Sequence, residues 1–358
     1  MKQTISHYAG AEMAALSAHP KLRLTHGPTP LELLGNLSHE LGVNVWAKRD
    51  DCNGLALGGN KLRQLEYYFG QAASNDADTV LVTGALQSNF VRLTAAAARK
   101  LGWQPEVQLE ARVPRNDIFY QQSGNVLLDE LLGARIHYLD HGDDEAAADQ
   151  KLDEIAVGLQ KQGRNPYVIH LGAEHPPIGA LGYVEAAIET HRQFAQAKTQ
   201  ADHVLIPSGS GLTHAGFLVG ARAIGWQVPV HGICVRRDRH AQTHRIARRV
   251  EQLQELLGLS GLVSRRDIVL DDVVLAPGYG QMNDAVRAAI FLGARQEALL
   301  LDPVYSGRCM AGLIHLVKSG AIPAGSTVAF IHTGGSPGLF AYQSDLMPVP
   351  RHVGRDAS

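Results

Sequence analysis

The sequence predicts an α/β protein in which parallel-rich sheets are flanked by helices, organised as two domains. Three observations carry that prediction. Short β-branched runs alternate with alanine-rich helical stretches along most of the chain, and alternating strands and helices build parallel sheet with helices on both faces. The 358 residues are 45% hydrophobic and 19% charged, more than one core ordinarily spans. Glycines and small hydroxyl residues gather where strand-like runs pass into helical ones, which is where open parallel sheets bind ligands.

Taken in order, TVLVTG (79–84) reads as a buried strand and FVRLTAAAARKLG (90–102) as the helix after it. PEVQLEA (105–111) is a strand, GNVLLDELLGA (124–134) a helix and RIHYLD (135–140) a strand. The acidic stretch 140–150 reads as a solvated loop and helix start. The alternation resumes with a strand at 165–172, a helix at 179–196, a strand at 203–209 and a helix at 213–225. Strand-like runs at 228–235 and 326–335 complete it, and the polar, proline-broken tail at 348–358 is expected to fray.

The net charge of -2 gives no electrostatic reason to expect nucleic acid or an acidic membrane surface as partner. Cys52, Cys234 and Cys309 are far apart and form no CxxC, so no oxidising compartment is indicated. The opening MKQTISHYAGAEM lacks the apolar core of a signal peptide, and no apolar stretch has bilayer-spanning length. The expectation is a soluble cytoplasmic protein. Neither GxSxG nor a P-loop is present, against common serine hydrolases and P-loop NTPases.

Chemistry concentrates at the junctions. In DDCNGLALGGNKLRQLEYY, Lys61 follows two glycines and an asparagine at the start of a helix. The helix dipole makes that end partly positive, a poor place for an ordinary lysine. SGSGLTHAG (208–216) offers glycine-freed N–H groups plus the hydroxyls of Ser210 and Thr213, a cradle for phosphate. The rival reading of that loop is a dinucleotide turn, but His214 stands where GxGxxG needs glycine. Arg236 and Arg237, in place of an acidic residue, would suit only the 2′-phosphate of NADP.

GALQSNFVR (84–92) places Gln87, Ser88 and Asn89 together at a helix start, more than capping requires. HTGGSPG (332–338) brings Thr333 to another strand end, and Tyr279 and Tyr305 sit in loops rich in glycine and proline. RRDRHAQTHRIARR (236–249) reads as a solvated helix or a surface for a partner subunit; its HAQTH lacks the glutamate of HExxH. His170, His175 and His332 have no spaced partners that would suggest a metal.

A phosphate cradle, an amine beside a glycine turn and a polar Ser–Asn pair together suit a phosphorylated aldehyde, pyridoxal 5′-phosphate. The motifs WAKRDD, GGNKLRQLEYY, TGALQSNFVR, GALGYVEA, GSGLTHAG, APGYG, LDPVYSG and HTGG resemble those of fold-type II pyridoxal-phosphate enzymes. Within these, the chain resembles the D-cysteine desulfhydrase and 1-aminocyclopropane-1-carboxylate deaminase family from about residue 28 to residue 342.

The resemblance implies that Lys61 bonds the cofactor and that Asn89 meets its ring hydroxyl. Gly209, Ser210, Gly211, Leu212 and Thr213 would hold the phosphate, with Ser306 and Thr333 near the pyridine nitrogen. Lys61, Ser88, Tyr279 and Tyr305 would be catalytic, and Gln87, Ser88, Asn89 and Tyr279 would meet the substrate. The implied reaction is loss of the α-proton to Lys61, departure of a β-leaving group, and hydrolysis to a keto acid and ammonia. D-cysteine would give sulfide and pyruvate. Ser306 stands where ring-opening deaminases have glutamate, which disfavours that activity, whereas L-cysteate sulfo-lyase remains an alternative.

The chain departs from the family in three places: Gln64 replaces a basic residue that helps to bind phosphate, Phe90 replaces histidine, and Ala173, Glu174 and His175 replace a glycine- and serine-rich stretch. The implied architecture is a small domain at 64–173 inserted into a large cofactor-binding domain at 1–63 and 174–358. The cofactor would lie between them, in a homodimer acting on a small amino acid.

Overall fold

The computed structural model describes residues 15–140, 142 and 144–347; the tail expected to fray lies outside them. Two sheets form. The larger has the order β1 (Leu31–Leu33), β2 (Asn44–Arg49), β10 (Thr327–His332), β7 (His203–Ser208), β8 (Val230–Cys234), β9 (Val269–Asp271). All its pairings are parallel except that of β1 with β2. The smaller sheet, all parallel, has the order β5 (Arg135–Leu139), β4 (Gln104–Glu110), β3 (Thr79–Ala85), β6 (Pro166–Ile169).

β10 shows why so apolar a run can sit in mid-sheet. Val328 and Phe330 pack into one core with Val45, Leu205 and Met310, while Ala329 and Ile331 pack into another with Val204, Leu218 and Ile206. Alternate residues leave on opposite faces and helices cover both. The helices Leu181–Gln196 and Leu212–Ala223 cross closely because of glycine: a Cβ on Gly216 would lie 2.3 Å from the Ala180 carbonyl oxygen.

The helix Lys61–Ser74 stands between the cores. Leu62, Leu65 and Phe69 pack with Val80, Val82 and Val107 of the smaller sheet, whereas Tyr67 packs with Tyr183 and Val184 on the helix beside the larger one. Its first turn is fixed by a buried charge cluster. Arg63 donates to both carboxylate oxygens of Asp50 at 3.0–3.1 Å, to Glu189 at 2.8 and 3.0 Å, and to Thr29 Oγ1 at 3.0 Å. Tyr183 adds a 2.5 Å bond to Asp50, and Lys48 pairs with Glu189. These donors hold the Asp50 carboxyl below its usual value in spite of burial, which raises it.

Strands and helices arise close to where the alternation puts them, but several elements carry no such signal. β2 runs into the WAKRDD motif, and the helices Asp284–Glu297 and Ser306–Lys318 follow loops that read only as tyrosine-bearing segments. The segment after β8 is helical over Arg239–Leu256, started by Asp238, whose side chain accepts the Ala241 N–H at 2.7 Å.

One buried carboxyl works against the fold at neutral pH. Asp129, in the helix Gly124–Leu131, has neither oxygen hydrogen-bonded, and desolvation pushes it up to about 8 despite the charge of Arg92. Folded protein therefore holds a proton there that unfolded protein releases from its ordinary value of 3.8 upward. Stability falls as pH rises through that window, by at most about 1.4 kcal/mol per pH unit. Asp129→Asn is expected to remove this slope from urea-unfolding curves between pH 4 and pH 8. An unchanged slope would contradict the assignment.

Candidate active site

Lys61 begins its helix with Asn60 as cap, after a turn that only glycine accommodates: φ is +63° at Gly58 and +130° at Gly59. A Cβ on Gly58 would lie 2.1 Å from the Asp51 carbonyl oxygen. Asn53 locks the turn by donating to the Gly59 carbonyl at 2.8 Å and accepting the Gly59 N–H at 3.0 Å. The Asn60 N–H reaches the Thr333 carbonyl at 3.1 Å, tying the turn to the end of β10. The lysine amine lies 3.5 Å from Gln64 Oε1 and 5.4 Å from the centre of the Phe90 ring, with no carboxylate bonded to it. Burial lowers it to about 8, so a substantial fraction is neutral at physiological pH.

Facing Lys61 is the glycine loop after β7. The helix Leu212–Ala223 starts at Gly211, in the left-handed region at φ +94°, and no side chain caps its free N–H groups. Thr213 Oγ1 accepts from Asn60 Nδ2 at 2.8 Å and from Gln64 Nε2 at 2.9 Å. With both lone pairs filled, that hydroxyl can only donate. The loop is a set of unspent donors, the chemistry of an anion seat. Leu212 turns its side chain into the core, leaving only its backbone N–H for the cleft.

Ser88 caps the helix Asn89–Lys100 by accepting the Val91 N–H at 3.2 Å, beside Gly84, where a Cβ would lie 2.5 Å from Ser88 Oγ. Asn89 Oδ1 accepts from Arg92 and from Asn125 Nδ2, both at 3.0 Å, so its amide nitrogen is the free end. Arg92 also reaches the Gly58 carbonyl at 2.8 Å and thereby joins the Asn89 helix to the lysine turn. Gln87 serves a neighbouring loop. It does not line the cleft: its amide donates to the carbonyls of Tyr120 and Ser123 and accepts the Asn125 N–H.

The Tyr279 and Tyr305 hydroxyls are 2.7 Å apart. Burial and the neighbouring tyrosine push Tyr305 well above its ordinary value, keeping it protonated. Asp302, unremarked in the sequence, shapes this loop by accepting the N–H groups of Val304, Tyr305 and Ser306 at 2.7–2.9 Å, an Asx turn. Ser306 is engaged by the same aspartate. Its hydroxyl donates to Asp302 Oδ1 at 2.7 Å and accepts the Asp302 N–H, away from the cleft lining. Thr333 does line the cleft, with a buried Oγ1 that has no partner.

Lys61, Ser88, Asn89, Gly209, Ser210, Gly211, Thr213, Tyr279, Tyr305 and Thr333 therefore border one cleft. Arg112, Glu145, Arg236 and Arg245 border it too, and sequence reasoning missed all four as active-site residues. The dinucleotide alternative loses its footing here, because His214 is buried against Ser208 Oγ and Arg236 faces Glu145.

Of two histidine groups, the first is solvated, as the sequence suggests, and the second differs from expectation. His240 and His244 are exposed neighbours with nitrogens 3.3 Å apart. His170 and His175 do find partners: Asp153 at 3.0 Å, Asp149 at 3.0 Å, and each other's rings, stacked at 4.1 Å and 10°. Near-parallel stacked rings cannot both aim an in-plane lone pair at one ion. This cluster is a set of hydrogen bonds tying residues 170–175 to the helix Glu145–Gln160.

An amine held partly neutral, a seat of donors for a phosphate, and polar side chains between them fit pyridoxal 5′-phosphate. Residues 22–334 match the family model described as "Pyridoxal-phosphate dependent enzyme". The chain is 41% identical over 331 residues to a D-cysteine desulfhydrase of Klebsiella pneumoniae, covering 92% of this chain and 98% of the relative. It is 40% identical over 328 residues to a 1-aminocyclopropane-1-carboxylate deaminase of Methylobacterium nodulans, covering 89% and 95%. A crystal structure of an ACC deaminase homologue superposes with a TM-score of 0.83 at 35% identity, over 94% of this chain and 98% of that one. The chain belongs to the pyridoxal-phosphate-dependent enzymes and is a lyase of the fold-type II class.

Proposed function

We propose that the protein eliminates the β-substituent of a small amino acid and deaminates the remainder, with D-cysteine as substrate and sulfide, pyruvate and ammonia as products. The observation that carries this reading is the poise of Lys61, an amine lowered to about 8 in the cleft that also presents Ser88 and the Tyr279–Tyr305 pair. Pyridoxal phosphate bound there supplies the electron sink for a carbanion at the substrate's α-carbon. Lys61 Nζ takes the α-proton, for which an amine titrating near neutrality is suited. Ser88 Oγ, with its lone pair on the Val91 N–H, keeps a proton to donate to the substrate. The tyrosine pair, held protonated at Tyr305, supplies a proton to the departing group. The free amide end of Asn89 would meet the cofactor's ring hydroxyl, and residues 209–213 its phosphate. A small domain at 64–173 would close the cleft over the amino acid.

Identity alone does not separate desulfhydrase from deaminase relatives, at 41% and 40%. Ser306 favours the former. A glutamate there would set a second buried carboxylate against Asp302, whose own carboxyl burial already raises. A sulfonate leaving group, as in L-cysteate, is the second reading, favoured by Arg112 and Arg236 at the cleft.

Incubation with D-cysteine, L-cysteine, L-cysteate and 1-aminocyclopropane-1-carboxylate, with assays for sulfide, sulfite and keto acid, tests the choice. Sulfide and pyruvate from D-cysteine in large excess over the others is expected. Sulfite from L-cysteate as the main product would establish the second reading, and a four-carbon keto acid would overturn both. Acylation of Lys61 in the cofactor-free protein, followed by mass spectrometry, should accelerate through a midpoint near pH 8. A midpoint at the ordinary 10.5 would contradict the poised amine.

A further inference from the structure

The segment at 236–249, expected to be solvated, closes over the back of the glycine loop. Arg245 Nε donates to the Ser210 carbonyl at 2.8 Å. Arg237 reaches the Gly209 carbonyl at 3.3 Å, and Gln242 Nε2 reaches the same oxygen at 3.1 Å and Ser208 Oγ at 2.9 Å. The two carbonyls of the loop are thus drawn toward one helix. A trans peptide points its N–H opposite to its carbonyl, so the N–H groups of the same peptides are turned away from that helix. One carboxylate lies against these guanidinium groups and offsets part of their charge. Glu145 binds Arg237 at 2.6 Å, Arg245 at 3.0 Å and Arg236 at 3.5 Å. Arg237 and Arg245, which both reach the loop, share that one carboxylate, so the pair brings more positive than negative charge to the loop carbonyls.

Position 64 explains why that charge matters. Gln64 bonds Thr213 and sits 3.5 Å from the Lys61 amine. A cation at position 64 would serve a phosphate, but it would stand beside the amine and depress its basicity further. The neutral glutamine leaves the seat without a local cation, and the arginines stand behind the loop instead.

We propose that Arg245, assisted by Arg237 and Gln242, is a positioning residue for the phosphate seat. It ties back the loop carbonyls and supplies from behind the positive potential that position 64 lacks. The proposal rests on residues 209–213 being that seat. It concerns one end of the cofactor alone, so pyridoxal, which has the same aldehyde and no phosphate, is the control.

Cofactor-free protein is titrated with pyridoxal 5′-phosphate and separately with pyridoxal, and bonding is followed by visible absorption. Arg245→Gln is expected to weaken the phosphorylated ligand by about tenfold or more, the scale of a charge-assisted contact, with pyridoxal almost unaffected. Arg245→Lys, which retains charge but not the forked donor set, should fall between. Glu145→Gln removes the opposing carboxylate and should raise the preference for the phosphorylated ligand. It carries the test on its own if Arg245→Gln does not fold.

Equal weakening of both ligands would mean a loop that has merely collapsed, and would overturn the proposal. So would an unchanged ratio in all variants while wild type still prefers the phosphorylated ligand, leaving the seat itself intact. Wild-type protein that binds both ligands equally would overturn the seat and the proposal together.

Discussion

The buried pair between Asp50 and Arg63 is the constraint on which the site depends. Two charges removed from water must recover a large desolvation cost through geometry, and here the geometry is complete. Asp50 receives Arg63, Thr29 and Tyr183, while Arg63 also engages Glu189. Asp50 contributes its backbone as well, since its carbonyl accepts the Gly59 N–H at 3.0 Å. One residue therefore fixes the glycine turn and, two positions past the lysine, the first turn of the helix. Lys61 lies between these two fixed points and has little freedom to leave the cleft. A network of this kind is weak evidence for stability but strong for position, because loss of one partner strands a buried charge.

Around that fixed amine, the cleft separates tasks by electrostatics. Lys61 has only an amide oxygen and an aromatic ring near it, and burial keeps it partly neutral. The anion seat opposite relies on backbone N–H groups and the Thr213 hydroxyl, whose acceptor capacity is already used. Formal positive charge stands on Arg237 and Arg245, which touch the loop through its carbonyls. A cation placed directly at the seat would also act on the amine; one placed behind the loop acts mainly on the seat. The departure at Gln64 is in this sense coherent with the arginines behind the loop.

Much of this was legible in the sequence because parallel sheets put their chemistry at strand ends. The junctions at 84–92, 208–216 and 332–338 all border one cleft, and each was marked by glycine with small polar residues. What was illegible depended on contacts between distant segments. Arg237 and Arg245 look solvated in a run of arginines, and only the fold brings the Gly209 and Ser210 carbonyls and Glu145 to them. Gln87 looked like a ligand because it adjoins Ser88, yet its amide serves the loop at 120–125. Ser306 follows an active-site tyrosine but starts a helix, and Asp302 claims its hydroxyl. An aspartate three residues before that tyrosine, Asp302, is the one local sign of the Asx turn. His170 and His175 lacked partners only along the chain, since Asp149 and Asp153 come from a helix more than a dozen residues earlier.

The central claim is that Lys61 is the residue to which the cofactor is bonded. Reduction of the cofactor-loaded protein with sodium borohydride, followed by proteolysis and mass spectrometry, tests it directly. The account predicts a phosphopyridoxyl group on the peptide that contains Lys61 and on no other lysine. Modification at a different lysine, or a loaded protein that reduction leaves unmodified, would contradict it.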